Sequence, residues 1–347
     1  MTTDWFDQAI LPNVLPVSIA MFFLVLISVV AGVFGFEVQY KLYSVMMLII
    51  GFSSLFLGLL AACLWTLWVH RPTRPTLFLA KRIRNEWRAS ERIIRGIPIL
   101  AVYPIFFGAF TSYKSALGQI VPFYFDPHAR RLDYILHGRD AWKLLEPITN
   151  YAFLTSAINF IYHLWFLLLY ATLFFVAFIV TDLRYRSQFL IAFTLCWFVI
   201  GIVFATAFSS VGPCYYKHFY NDGHYQYIAD YLQSAQQHYP VPALTAQQFL
   251  LENFNARRPG MGNGISAAPS MHVSIAALIA LFVSRYGNAA AFVGWSYCAL
   301  IFVGSVHLGW HYAIDGYLAL MLTGLIWKAA ERIVVLGRLK DKWDQAL

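Results

Sequence analysis

Residues 17–36 read VSIAMFFLVLISVVAGVFGF, twenty positions without one ionisable side chain. A helix rises 1.5 Å per residue, so such a run is ~30 Å long and matches the hydrocarbon thickness of a bilayer. Working outward, comparable apolar runs occupy about 43–69, 96–113, 152–180, 188–208, 269–285, 289–307 and 311–335. Together they predict an all-α integral membrane protein of about eight transmembrane helices. Residues 1–150 form an N-terminal block of spans with a basic segment and an outer loop, and residues 151–347 a C-terminal helical bundle that carries the chemistry.

Composition agrees. The chain is 60% apolar and only 12% charged, about half of the roughly 25% that a soluble surface requires. Its net charge of +8, from 25 Lys and Arg against 17 Asp and Glu, does not signal nucleic-acid binding. No basic stripe is interleaved with stacking aromatics, and the cations stand between apolar runs, where they set topology. Cys63, Cys196 and Cys298 lie inside apolar runs and Cys214 alone in a loop, so no disulfide framework is expected. No CxxC or HExxH spacing supports a zinc site. The stretch from Met1 to Pro16 carries Asp4 and Asp7 and no Lys or Arg, the wrong charge for a secretory signal.

Arg71, Arg74, Lys81, Arg82, Arg84, Arg88, Arg92 and Arg95 lie between the second and third runs. From Leu77 this segment predicts an amphipathic helix on the membrane surface, with Leu79, Ile83, Trp87 and Ile94 among its apolar residues. Positive charge favours the cytoplasmic side, which puts both termini inside. Arg184, Arg186, Arg285 and the tail with Lys328, Arg332, Arg338, Lys340 and Lys342 agree, and the loop of about 209–268 then falls outside. The loop 114–151 agrees less well, because it holds Lys114, Arg130, Arg131, Arg139 and Lys143 beside several acids.

Two segments carry reactive side chains. In the first, Gly264-Ile-Ser-Ala-Ala-Pro-Ser-Met-His272, Pro269-Ser270 is helix-start chemistry. It leaves orphan N–H groups and the positive dipole end facing the loop, an arrangement that attracts phosphate. The second is Gly304-Ser-Val-His-Leu-Gly-Trp-His-Tyr-Ala-Ile-Asp315. Here His311 and Asp315 are four apart and share a face on a helix. A carboxylate on one imidazole nitrogen fixes the tautomer and frees the other. Each segment alone also fits a plain reading, a capped helix with an interfacial histidine or a pair that satisfies itself. Topology couples them: both open spans that run in the same direction, so His272, His311 and Asp315 reach one membrane face. Asn159 and His163 share a face of the fourth run, as a buried pair or a headgroup contact. Glycines 260, 262 and 264 suit a lid or an ordinary loop.

Pro-Ser-Met-His followed about 40 residues later by His-Tyr-Ala-Ile-Asp resembles the second and third motifs of the type 2 phosphatidic acid phosphatase superfamily. The Gly309-Trp-His311-Tyr312 context is similar to its bacterial members and to the inositol phosphorylceramide synthase branch, and the resemblance covers about 190–335. It implies a lipid phosphatase or phosphotransferase core without metal or other cofactor. His311 would be the nucleophile that forms a phosphohistidine, Asp315 its orienting carboxylate, and His272 the acid that protonates the leaving oxygen. A lipid phosphate is the implied substrate and water or a hydroxylated compound the acceptor, at the non-cytoplasmic face of the cell membrane. Two family cations are missing. Ser305 stands where the third motif has an arginine, and residue 251, seven before Arg258-Pro259, is Leu rather than Lys. That leaves Ser270, Ser305, Lys217, Arg257 and Arg258 as the candidate phosphate-binding residues, with Tyr215 and Tyr216 of the outer loop beside an acceptor. The alternative class is a transporter or lipid-flipping protein, which advertises itself by broken spans in repeated positions and ionisable groups at the midplane. Neither pattern is visible here.

Overall fold

The computed structural model describes residues 11–86, 89–258 and 260–344. The acidic N-terminal residues before Leu11, and Trp87, Arg88 and Pro259, lie outside the described residues, as do the side chains of Arg338, Lys340 and Lys342. In chain order the helices are α1 (Leu11–Phe34), α2 (Ser44–His70), α3 (Pro75–Lys81), α4 (Ala89–Ile120), α5 (Asp126–His137), α6 (Ala141–Thr149), α7 (Ala152–Phe174) and α8 (Leu183–Leu195). They continue as α9 (Tyr216–Tyr220), α10 (Gln226–Gln236), α11 (Pro242–Asn255), α12 (Met271–Val283), α13 (Asn288–His307) and α14 (Ala313–Asp344). Wider π-type turns extend α7 to Ile179 and α8 to Phe204. No strand occurs among the described residues.

Six of these helices are long and apolar enough to cross a membrane: α1, α2, α4, α7 and α8 with their extensions, and α13. Large apolar side chains such as Phe22, Phe52, Trp65, Phe160 and Phe292 are exposed along them. So much apolar surface suits a lipid surround. The run expected at 269–285 forms an apolar helix of only Met271–Tyr286, ~24 Å at 1.5 Å per residue. The run at 311–335 lies inside α14, which is not among the six.

Two segments differ from expectation. In the basic segment, α3 and a π-type turn cover Pro75–Glu86, and the residues from Ala89 to Arg95 belong to the long helix α4. Arg92 is thereby carried against α7, where it donates to the Ile179 carbonyl at 2.8 Å. The segment 209–268, expected as a loop, holds the helices α9, α10 and α11. Ile228, Leu232 and Ala243 on these helices are buried.

Helix α12 is the hub, packed on α13, α14 and α8, while α1 packs on α4 and α8. At one end of the bundle Arg184 pairs with Glu331 at 3.5 Å and Arg285 pairs with Asp182. His272 and Asp315 stand at the opposite end, in the first turns of α12 and α14.

Candidate functional site

The site is built where α13 ends and α14 begins. Gly309, with φ +75°, turns the chain, and the N–H groups of Trp310 and His311 donate back to the Ser305 carbonyl at 3.0 and 3.1 Å. His311 therefore sits in the link before α14 rather than on a helix. Asp315 lies in the first turn of α14, and its Oδ2 is 3.5 Å from His311 Nδ1. The same oxygen accepts the Tyr312 N–H at 3.0 Å. Both side chains are buried.

Ser270 caps α12, its hydroxyl accepting the Val273 N–H at 3.4 Å. Its own N–H donates to the Asp315 carbonyl at 3.2 Å, which ties the start of α12 to the start of α14. His272 follows in the first turn. Its ring stacks on Tyr162 at a centroid distance of 4.6 Å and lies 4.2 Å from Trp165. The Trp165 indole donates to the His272 carbonyl at 3.0 Å. The rings of His272 and His311 are 6.3 Å apart, centroid to centroid. No hydrogen bond from either His272 ring nitrogen to a described residue is present.

Both histidines line a cavity of about 300 Å³. Its wall is rich in aromatic rings, among them Phe107, Phe110, Tyr162, Trp165, Trp197 and Trp310. Phe166 also lines it and is 46% exposed on α7, so the cavity reaches the apolar outer surface of the bundle. Met261 and Phe249, each 50% exposed, mark a second edge under the helices of segment 209–268.

The polar lining includes Lys114, from the last two turns of α4, which the spacing of the sequence placed in a loop. Among the described residues it is the only lysine or arginine that lines this cavity. The expected cations are elsewhere: Lys217, Arg257 and Arg258 are exposed and do not line it. Ser305 is buried, and its hydroxyl donates to the Phe302 carbonyl at 2.7 Å. Ser305 thus supports the His311 turn through its carbonyl instead of facing the cavity. Tyr215 lines the cavity and donates its hydroxyl to the Gln247 carbonyl at 3.0 Å, whereas Tyr216 does not line it. Asn159 Oδ1 accepts the Ala243 N–H at 3.0 Å, a structural tie at the start of α11. Its neighbour His163 lines the cavity. Arg130, Arg131, Arg139 and Lys143 surround a separate bowl with His224.

Two acids from α5, which the sequence offered only as countercharges, hold the reactive turn in place. Seven residues apart, Asp126 and Asp133 share one helix face. Asp133 accepts the Ala313 and Ile314 N–H groups at 2.9 and 2.8 Å, capping α14 from another helix. Burial pushes its carboxyl up, against the downward pull of those two N–H groups. Asp126 accepts from Ser210 Oγ, the Val211 and Gly212 N–H groups and the hydroxyls of Tyr220 and Tyr312. It thereby fastens loop 210–212 to the residue beside His311. Gly212 is required there, since a Cβ on it would meet the Trp310 carbonyl at 2.3 Å.

The arrangement brings together an imidazole 3.5 Å from a carboxylate, a second imidazole 6.3 Å from the first between ring centroids, and one lysine lining the same cavity. Among the described residues no group of three or more His, Cys, Asp or Glu side chains is placed to hold a metal ion. A family model described as the PAP2 superfamily matches residues 131–329, more than half of the chain. No curated protein and no solved structure matches it.

Proposed function

The chain belongs to the PAP2 superfamily, and from that premise we propose that it is a membrane enzyme that takes phosphate, or a phosphorylated headgroup, from a lipid. The observation that carries this reading is that His272 and His311, the latter backed by Asp315, line an aromatic-rich cavity that reaches the apolar surface at Phe166. His311 Nδ1 is turned to Asp315, so Nε2 is the free nucleophile. Its attack forms the P–N bond as the ester P–O bond breaks, and His272 gives its proton to the leaving alkoxide. In the second half His272 removes a proton from water or an acceptor hydroxyl. That oxygen attacks phosphorus, the P–N bond breaks and His311 is regenerated.

The cations Arg92, Arg184 and Arg285 lie at the other end of the bundle from the histidines. With positive charge inside, the reactive end faces away from the cytoplasm and both termini face it. Eight crossings, with α12 and α14 completing the six long apolar helices, satisfy this orientation. Transfer to a polyol, as in inositol phosphorylceramide synthases, belongs to the same proposal. A positioned hydroxyl outcompetes bulk water through its effective concentration. The test is to incubate the purified protein with a panel of lipid phosphates, with and without inositol, and identify products by mass spectrometry. Free phosphate or a new phosphodiester is expected. A panel returned unchanged would refute the enzyme reading.

A further inference from the structure

The family pattern supplies two phosphate-binding cations that this sequence lacks, at residues 251 and 305. A phosphoryl group entering beside His272 and His311 still brings negative charge into an apolar pocket, and an unpaired charge there is costly. We propose that Lys114 supplies the missing cation and binds the phosphate directly, from a helix that lies outside the segment matched to the family.

Four observations carry this. Lys114 lines the cavity that both histidines line, and no other lysine or arginine among the described residues does so. It lies within electrostatic range of His272. No acid among the described residues pairs with it in an ion pair or hydrogen bond, so its ammonium is available to an anion. Finally, its place is fixed by the reactive segment itself. Gly264 has φ +96°, and a Cβ there would meet the Lys114 carbonyl carbon at 2.6 Å and the Ser115 nitrogen at 2.7 Å. The chain leading to His272 thus lies flush on the backbone of α4 at Lys114, and only glycine permits it. The lysine and the histidine are held in register by that contact.

This rests on the phosphoryl-transfer reading for its meaning but is tested separately from it. The full-length wild type, Lys114→Met and Lys114→Arg are purified in detergent and compared by thermal unfolding to establish that each is folded. Orthovanadate, a phosphate mimic, is titrated against the fluorescence of the cavity tryptophans Trp165, Trp197 and Trp310. Vanadate affinity is expected to fall on the order of 10- to 10²-fold in Lys114→Met, the worth of one charged hydrogen bond. In Lys114→Arg part of it should return. With dioleoylphosphatidic acid as substrate, KM should rise by a similar factor in Lys114→Met. Unchanged vanadate affinity in Lys114→Met, or no vanadate binding to the wild type, overturns the proposal. Vanadate binding that depends on Lys114, in a wild type that turns over no lipid phosphate, instead leaves this site standing and removes the enzyme reading alone.

Discussion

Replacing Asp133 by alanine tests whether α5 holds the reactive turn. Asp133 is almost fully buried, and each carboxylate oxygen accepts one N–H from the first two residues of α14, at 2.8 and 2.9 Å. The free N-terminal amides of a helix need such acceptors. A hydrogen bond to a charged group contributes about 1.5–3 kcal/mol, so the two together reach roughly 3–6 kcal/mol before relaxation. Water entering the vacated space recovers part, and a net loss of about 2–4 kcal/mol is expected at this helix end. Ala313 is two residues from His311 in the chain, so the freed end carries the proposed nucleophile with it. A displacement near 1 Å costs on the order of 10²-fold in rate. Asp133→Ala should therefore lose about 10- to 10²-fold in kcat on dioleoylphosphatidic acid, with a lower unfolding temperature. Its KM should change little, because Asp133 does not line the cavity. Asp133→Asn keeps one acceptor oxygen and should fall between. Phosphate release and thermal unfolding in detergent micelles measure both effects. Wild-type kcat and unfolding temperature in Asp133→Ala would refute the argument.

Four further outcomes follow from the same geometry. His311→Ala should abolish turnover and the acid-labile phosphoenzyme detectable after rapid quenching; steady turnover in that variant removes His311 as nucleophile. His272→Ala should lose about 10²–10⁴-fold, the usual worth of general acid catalysis, and less on substrates with good leaving groups. An equal loss on good and poor leaving groups contradicts the acid role. Activity should persist in EDTA, since the proposed electrophiles are histidine and lysine, and a strict Mg²⁺ requirement would count against the mechanism. Gly264→Ala should reduce activity as strongly as Lys114→Met, because its Cβ has no room against α4; full activity there would show that the contact does not set the site.

Much of the bundle is visible in the sequence because lipid leaves a simple mark, a run of apolar residues as long as the bilayer is thick. The ends of those runs are less legible. A hydropathy reading stops the third span at residue 113, just before a cation, yet α4 continues through Lys114 to Ile120. A lysine inside a span is tolerated where it faces a cavity within the protein rather than lipid, and no local pattern reveals which way it faces. The His311–Asp315 spacing marks a pair, and the two side chains lie 3.5 Å apart, although the link before α14, rather than a helix face, brings them together. The support from α5 was hidden for another reason. The spacing of Asp126 and Asp133 shows that they share a face, but the partners of Asp133 at 313 and 314 are about 180 residues away and are backbone N–H groups, which leave no trace in residue type. Lys217, Arg257 and Arg258 illustrate the converse: proximity in sequence to the reactive segments did not bring them to the cavity.

The shortness of α12 explains why the site is a recess and not a surface patch. Helix α13, which runs back against it, has 20 residues, ~30 Å at 1.5 Å per residue. The Met271–Tyr286 helix is ~24 Å long by the same rise, so its N-terminal end stops about a helical turn short. Irregular chain fills the difference, and Asn263, Ile265, Ala267, Ala268 and Ser270 on it are all buried. Non-helical backbone at such depth persists only where protein encloses it and its polar groups find partners. Here Ala267 N–H donates to the Ser210 carbonyl and Ser270 N–H to the Asp315 carbonyl. Loop 210–212 is in turn held by Asp126, and the start of α14 by Asp133. The two carboxylates that fasten the reactive turn thus also stabilise the descent of the chain toward His272. In return His272, His311 and Lys114 line one apolar cavity, where the lower dielectric would strengthen the interactions proposed for them with a phosphoryl group.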